Sequence, residues 1–174
     1  QLDHMSSIAS DYLRYARPAE PSLRSVPVGE ILGELEFAIR SSLDSTCVDF
    51  EVSQVSDWLE AICDPDQLNQ VLINLVKNAV EAVSGEPLAR VCVRARPNGR
   101  GVLIDVCDSG PRIPEADLPR LFEPFFTTKS KGTGLGLAIS KRLIERQGGS
   151  ISAHSSPDGV TFTVSLPAGR GGAH

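Results

Sequence analysis

GTGLGLAIS, residues Gly132 to Ser140, places three glycines at alternate positions directly ahead of an apolar run with helical spacing. Glycine lets backbone N–H groups approach a ligand closely, and a helix N-terminus adds the positive end of its dipole. A phosphate is the guest suited to that arrangement; the plainer alternative is a flexible hinge before a helix. The flanks exclude two familiar phosphate loops. The dinucleotide fingerprint needs its glycines immediately after a strand, whereas here the preceding segment is the aromatic and proline-containing LFEPFFTTKSK. A P-loop closes on Gly-Lys-Ser/Thr, and that ending is missing.

Working outward, residues 108–131 contain Pro111, Pro114, Pro119 and Pro124 and read as a long irregular connection, a length that in a compact domain is usually functional or mobile. Phe122, Phe125 and Phe126 read as packing anchors of this loop rather than as base-stacking groups. The apolar strand GVLIDVCD runs into Asp108-Ser109-Gly110-Pro111. It sets a carboxylate at a sheet edge, able to accept from an exocyclic amine such as that of adenine. NGRG joins this strand to ARVCVRARP as a hairpin.

Further back, Asp64-Pro65-Asp66-Gln67 opens a helix running to about Val83, with Asp64 as cap, proline at the first helical position and Gln67 completing a capping box. Leu68, Val71, Leu72, Leu75, Val76, Ala79, Val80 and Val83 form its broad apolar face. Asn74, Asn78 and Glu81 share one border of it. Asparagine is a poor helix former, so two of them four residues apart are either half-solvated amides at the core rim or oxygen ligands facing a cleft. The second arrangement suits Mg²⁺, a hard ion that prefers oxygen. Lys77 either adds a phosphate contact or is solvated.

The rest of the chain supplies a helix from Val28 to about Leu43, strands in CVDFEVSQV and WLEAIC, a helix at about 134–147 ending on Gly148-Gly149, and strands at 150–155 and 160–166. The order predicts an α/β fold with antiparallel neighbours, one sheet covered by helices on one face. Residues 1–17 carry Leu2, Met5, Ile8, Tyr12 and Tyr15 at helical spacing, a stripe that needs a partner helix in a dimer or an absent segment. Pro18 stops that helix and PAEPSLRSVP reads as a linker or extended segment. With 174 residues the chain holds one domain and an appendage. Its net charge of −5 argues against a nucleic-acid binder. No apolar run reaches the roughly 20 residues of a bilayer span, and no signal peptide opens the chain. Beginning at Gln1 with a single methionine, Met5, the sequence is expected to be a piece of a longer protein. Cys47, Cys63, Cys92 and Cys107 lack metal-ligand spacing and are expected to be buried free thiols in a reducing cytosol.

Taken in order, NQVLINLVKNAVEAV, DSGPRIP, FEPFFTTK and GTGLGLAI resemble the N, G1, F and G2 boxes of sensor histidine kinases, most nearly the nitrogen-regulatory type. LDHMSSIASDYLRYARPAEP resembles the end of the second helix of that family's dimerisation and phosphotransfer domain. The resemblance implies a Bergerat-type two-layer α/β sandwich at 28–168, a mixed sheet with helices on one face, together with a helix remnant at 1–17, a linker at 18–27 and a flexible tail at 169–174. It implies ATP and Mg²⁺ as ligands, with Asn78 the metal ligand and Asn74 and Lys77 on the polyphosphate side. Asp108 would hold the adenine amine and Gly110 would let the chain pass close to the base. Ile113, Phe122, Thr128, Lys129, Gly132, Thr133, Gly134, Leu135, Gly136 and Leu137 would complete the nucleotide site, with residues from about 112 to 133 as a mobile lid. Related ATPases carry a glutamate at the position of Asn74 to activate water; asparagine cannot act as that base.

Two positions depart from the family pattern. Arg112 stands where a second G1 glycine is usual, and the phosphoacceptor histidine box is missing. None of His4, His154 and His174 has the right setting. The resemblance therefore implies a cytoplasmic catalytic domain, from a protein either membrane-anchored or soluble. It would transfer phosphoryl to a histidine outside this sequence for relay to a response regulator, with a homodimer in the full-length protein and no nucleic acid. A regulatory ATP/ADP-binding module and an anti-sigma-type serine kinase are the alternatives.

Overall fold

A computed structural model describes Tyr15 and residues 19–43, 47–54, 58–129 and 132–169. In chain order the elements are β1 (Arg24–Pro27), α1 (Val28–Leu43), β2 (Asp49–Gln54), β3 (Glu60–Cys63), α2 (Pro65–Ala82), β4 (Arg90–Asn98), β5 (Gly101–Asp108), a 3-10 turn (Leu118–Arg120), α3 (Gly136–Arg146), β6 (Ser150–Ser156) and β7 (Gly159–Pro167). Alternation makes the sheet two-faced. Val91, Val93 and Ala95 of β4, Val102, Ile104 and Val106 of β5, and Val160, Phe162, Val164 and Leu166 of β7 all point into one buried layer. The helices cover that layer, and Leu68, Leu72, Leu75 and Val76 of α2 are fully buried against it. The opposite face is polar. There Asp105 accepts from Arg96 Nε at 3.0 Å and from the Thr163 hydroxyl at 2.7 Å.

The strands run in the order β2-β4-β5-β7-β6. Neighbours are antiparallel except β2 and β4, which pair in parallel. The exception has a topological reason: β3 and α2 intervene and carry the chain across, as a parallel pair requires. The stretch read as linker or extended segment contributes β1, which pairs with β3 in a separate two-stranded sheet. Among the described residues no helix is long and apolar enough to cross a membrane. The apolar stripe expected over residues 1–17 lies outside the described residues except for Tyr15, as do His4, His174 and the tail beyond Gly169. Tyr15 is helical, its carbonyl accepts from the Arg142 guanidinium at 2.7 Å, and its ring lies under the same group.

Capping of α2 follows the sequence in one half only. The Asp64 carboxylate accepts from Gln67 N at 3.1 Å, as a cap should. The return bond expected from Gln67 is replaced by Gln147, from the far end of α3, whose Oε1 accepts from Asp64 N at 2.9 Å. Asp64 also accepts from Ser22 N at 2.8 Å, which ties the segment before β1 to this helix end. Asp64→Ala strands two partly buried backbone donors, those of Ser22 and Gln67. It is expected to cost about 2 kcal/mol in urea unfolding, at the upper end for a lost cap. A second difference concerns α3, which starts two residues later than the apolar pattern suggested. Gly134 sits at φ +68°, outside helical space, and its N-terminal flank is consumed by the loop.

Candidate functional site

Between α2, the ends of β5 and β7, the irregular 109–129 segment and the glycine run lies a cleft of about 890 Å³. Helical spacing puts Asn74, Lys77, Asn78 and Glu81 on one side of α2, and all four line the cleft. Ile73, Ile113, Leu121, Leu137, Val160 and Phe162 give it apolar walls. The volume and the mixture of apolar walls with few polar groups are those of a small-molecule site.

At the apolar end stands Asp108, the last residue of β5 and only 7% exposed. Burial raises its pKa above the ordinary 3.8, while hydrogen bonds from the backbone of Gly110 and Val160 pull the other way. The Gly110 bond is 2.8 Å long, to Oδ1. Ionised, the carboxylate keeps further acceptor capacity, and the residue lines the cleft. The folded protein holds this proton to higher pH than the unfolded chain. Stability therefore falls as pH rises through 3.8, and stops falling once the raised folded-state value is passed. Asp108→Asn removes that decline: its melting temperature relative to the parent protein is expected to rise from pH 4 upward and to level off once the raised folded-state value is passed.

At the polar end, Asn78 Oδ1 accepts from Lys129 Nζ at 3.0 Å, and the same ammonium pairs with Glu81. This contact draws the 109–129 segment onto α2. Asn74 behaves differently, because its Nδ2 donates to Ser140 Oγ at 3.0 Å and its Oδ1 abuts Gly136. It braces the start of α3. Phe125 N–H donates to the Gly134 carbonyl at 2.9 Å, and Phe125 itself sits at φ +66°, a costly region for an aromatic residue. A Cβ on Gly134 would overlap the Phe125 backbone, so these two residues fasten the loop to the glycine run.

Of the residues singled out from sequence, Asn74, Lys77, Asn78, Asp108, Ile113, Thr128, Lys129, Gly132, Thr133, Gly134, Gly136 and Leu137 line the cleft. Three others do not. Leu135 is buried in the core, Phe122 packs edge-on against Phe162, and Gly110 lies against Asp108 and the Ala82 carbonyl. Phe122 and Phe126 serve as loop anchors, Phe126 under the Arg120 guanidinium. Phe125 is the correction: its side chain is exposed and its backbone does the anchoring. Sequence reasoning missed Ser140, one turn after Gly136 on α3, and Val160 and Phe162, which reach the cleft from β7, distant in the chain, and carry no local signal. Arg112 lines the cleft as an exposed cation. The expectation of four buried thiols also needs correcting. All four are free, but Cys47 is exposed and Cys92 and Cys107 are half-exposed.

Residues 63–170 match the model of the family described as histidine kinase-, DNA gyrase B- and HSP90-like ATPase. The sensor histidine kinase ZraS of Klebsiella oxytoca is 35% identical over 168 residues, covering 96% of this chain and 36% of the relative. The chain thus spans about a third of the length of that curated relative. The catalytic domain of the histidine kinase ThkA superposes with a TM-score of 0.77 at 33% identity, over 84% of this chain and 95% of that one. ThkA in complex with the response regulator TrrA gives a TM-score of 0.83 at 28% identity, over 97% of this chain and 48% of that one. The family model and these relatives agree: the chain belongs to the histidine kinase-, DNA gyrase B- and HSP90-like ATPase family, as an ATPase domain of the sensor histidine kinase type.

Proposed function

We propose that the chain is the ATP-binding catalytic portion of a bacterial sensor histidine kinase, passing the γ-phosphoryl of ATP to a histidine on a dimerisation and phosphotransfer domain. The observation that carries this reading is the pairing of a buried carboxylate in an apolar pocket with an amide-and-cation wall in the same cleft. Asp108 offers an acceptor to the exocyclic amine of adenine, which guanine lacks at that position. Asp108→Asn is expected to weaken ATP binding at least tenfold, about 1.4 kcal/mol, because Oδ1 is already taken by Gly110 and the new amide faces the amine with a donor.

The residues present fit Mg²⁺. Asn78 Oδ1 already accepts from a cationic group, the Lys129 ammonium. Among the described residues no cluster of His, Cys, Asp and Glu could cage a metal by itself. That combination suits an ion held by a single protein oxygen together with substrate phosphates. When bound, Mg²⁺ supplies charge neutralisation to the polyphosphate. Lys77, Arg112 and Lys129 add positive charge around it, and the N–H groups of Thr133, Gly134 and Gly136 would serve the phosphates at the start of α3, while those of Gly132 and Leu135 are held by the Lys129 carbonyl and the Thr133 hydroxyl.

Phosphoryl transfer needs positioning and charge stabilisation more than covalent help. Asn74 holds Ser140 and has no basic oxygen to activate water. The chain is thereby suited to retain ATP until a histidine is delivered from another domain. Residues 28–168 form the catalytic domain in this reading, with 1–17 the end of the phosphotransfer domain, 18–27 the linker and 169–174 a tail. The full-length protein is a homodimer whose catalytic portion works in the cytoplasm, and the phosphoryl passes on to a response regulator. The ThkA complex with TrrA supports that last step.

The test mixes this chain with ATP labelled on the γ-phosphate, Mg²⁺ and a separately produced phosphotransfer domain carrying its histidine. Acid-labile label on that histidine is the expected result. ATP binding with no label on any such domain would overturn the reading in favour of a regulatory nucleotide-binding module.

A further inference from the structure

Cys92 of β4 and Cys107 of β5 face each other in the antiparallel register. Ser109 N–H donates to the Arg90 carbonyl at 3.0 Å. Pairs alternate along such a ladder, so Cys92–Cys107, two steps on, is again a hydrogen-bonded pair with Cα atoms about 5.5 Å apart. Disulfides span Cα separations of about 4.4–6.8 Å, a range that includes this pair, and the bond requires the Cβ atoms, about 4.5–5.5 Å apart across such a pair, to draw together to about 3.5–4.5 Å. Both side chains lie on the sheet face opposite the helices and are half-exposed.

The two thiols are also chemically unequal. Cys107 lies opposite Cys92 on one side and Thr161 of β7 on the other, and both side chains are hydrogen-bonding neighbours of its sulfur. Together with Arg94 nearby, these neighbours hold the Cys107 thiol below the ordinary cysteine value against the opposing effects of burial and Asp105. Its hydrogen bond with Cys107, along with burial, pushes Cys92 up. A partly exposed sulfur among donors and a guanidinium is the setting of reactive cysteines. Cys63 shows the contrast: it is fully buried, and desolvation pushes its thiol up to about 11.

We propose that Cys92 and Cys107 form a reversible oxidation site, at which a hydroperoxide converts the cross-strand dithiol to an intramolecular disulfide. The Cys107 thiolate attacks the terminal peroxide oxygen and the O–O bond breaks. The departing alkoxide or hydroxide takes up a proton and leaves as alcohol or water. Cys107, oxidised by two electrons, becomes a sulfenic acid. The Cys92 sulfur then attacks the Cys107 sulfur; the S–S bond forms, the S–O bond breaks, and water leaves with the Cys92 proton. Overall, two thiols and one hydroperoxide give one disulfide, one alcohol (or water) and one water. A disulfide at an exposed position is readily returned to the dithiol by thiol exchange. The bond would lie one residue before Asp108, on the strand that ends at the cleft.

The experiment treats the whole chain, carrying Cys47→Ser to remove the exposed thiol, with hydrogen peroxide, then alkylates the remaining thiols and maps the peptides by mass spectrometry. The expected product joins the Cys92 and Cys107 peptides with loss of two hydrogens and separates again in dithiothreitol. With Cys92→Ser added, Cys107 should stop at a sulfenic acid captured by a cyclic 1,3-dione. With Cys107→Ser instead, Cys92 should give no such adduct. Full alkylation of both residues after peroxide treatment, or a disulfide made through Cys63, would overturn the proposal. Circular dichroism of each variant confirms that the fold is retained, and the peptide map of the unsubstituted pair decides the matter without them.

Discussion

Replacing Asn78 with alanine is expected to lower Mg-ATP affinity at least a hundredfold, on the order of 3 kcal/mol, while leaving the fold intact. Asn78 sits half-buried on the cleft side of α2, and its oxygen is held by a cationic group from the opposite wall. Among the described residues no backbone group depends on that amide for a partner. Alanine is the better helix former by several tenths of a kcal/mol, so the melting temperature should hold or rise slightly. The loss should be specific to the metal-bound nucleotide: with a chelator present, parent and variant should bind ATP with similar weak affinity. Titration calorimetry with and without Mg²⁺ reads both arms. Unchanged affinity in the presence of the ion would sink the assignment of Asn78.

Gly159→Ala is expected to destabilise the protein by about 3 kcal/mol or more, a large share of the 5–15 kcal/mol typical of a domain. Gly159 opens β7 at φ +133°, where L side chains rarely go. An added Cβ would overlap the Asp108 carbonyl oxygen and press on the Ser109 Cα. Both obstacles are backbone and neither can swing aside. Relief would have to come from displacing the β5–β7 pairing at Asp108 and Val160, so nucleotide binding should weaken as well. Gly85→Ala is the matched control. Gly85 also has a positive φ, of 88°, but an added Cβ there meets open space. Only the conformational penalty of about 1–2 kcal/mol should appear. Equal losses for the two variants in urea unfolding would refute the steric account.

Much of this architecture was legible in the residues themselves. The apolar spacing of Ile31, Leu32, Leu35 and Ile39 marks α1, and Leu68, Val71, Leu72, Leu75 and Val76 mark the buried face of α2. NGRG marks the β4–β5 hairpin, whose two-residue connection sets its register. These signals are local: helical and strand periodicities and tight turns involve residues a few positions apart, so the pattern alone carries them. For the same reason the row Asn74, Asn78 and Glu81 was visible as one edge of one helix.

What the sequence determined by itself was thus the set of elements, their inward faces and the residue types available to the cleft. Tertiary structure decided which of those residues act together. It closed the cap of α2 with Gln147 rather than Gln67, since a buried amide 83 residues away reaches Asp64 N–H first. It turned Asn74 toward Ser140 and set Lys129 on Asn78, giving two similar amides different partners. It brought Val160 and Phe162 into the cleft and left Phe125 exposed. It also buried one face of the sheet beneath the helices, which leaves Cys92 and Cys107 on the open side. Each outcome depends on how separate elements pack. Packing selects among contacts that are nearly equal in local energy, and only the assembled core makes them unequal.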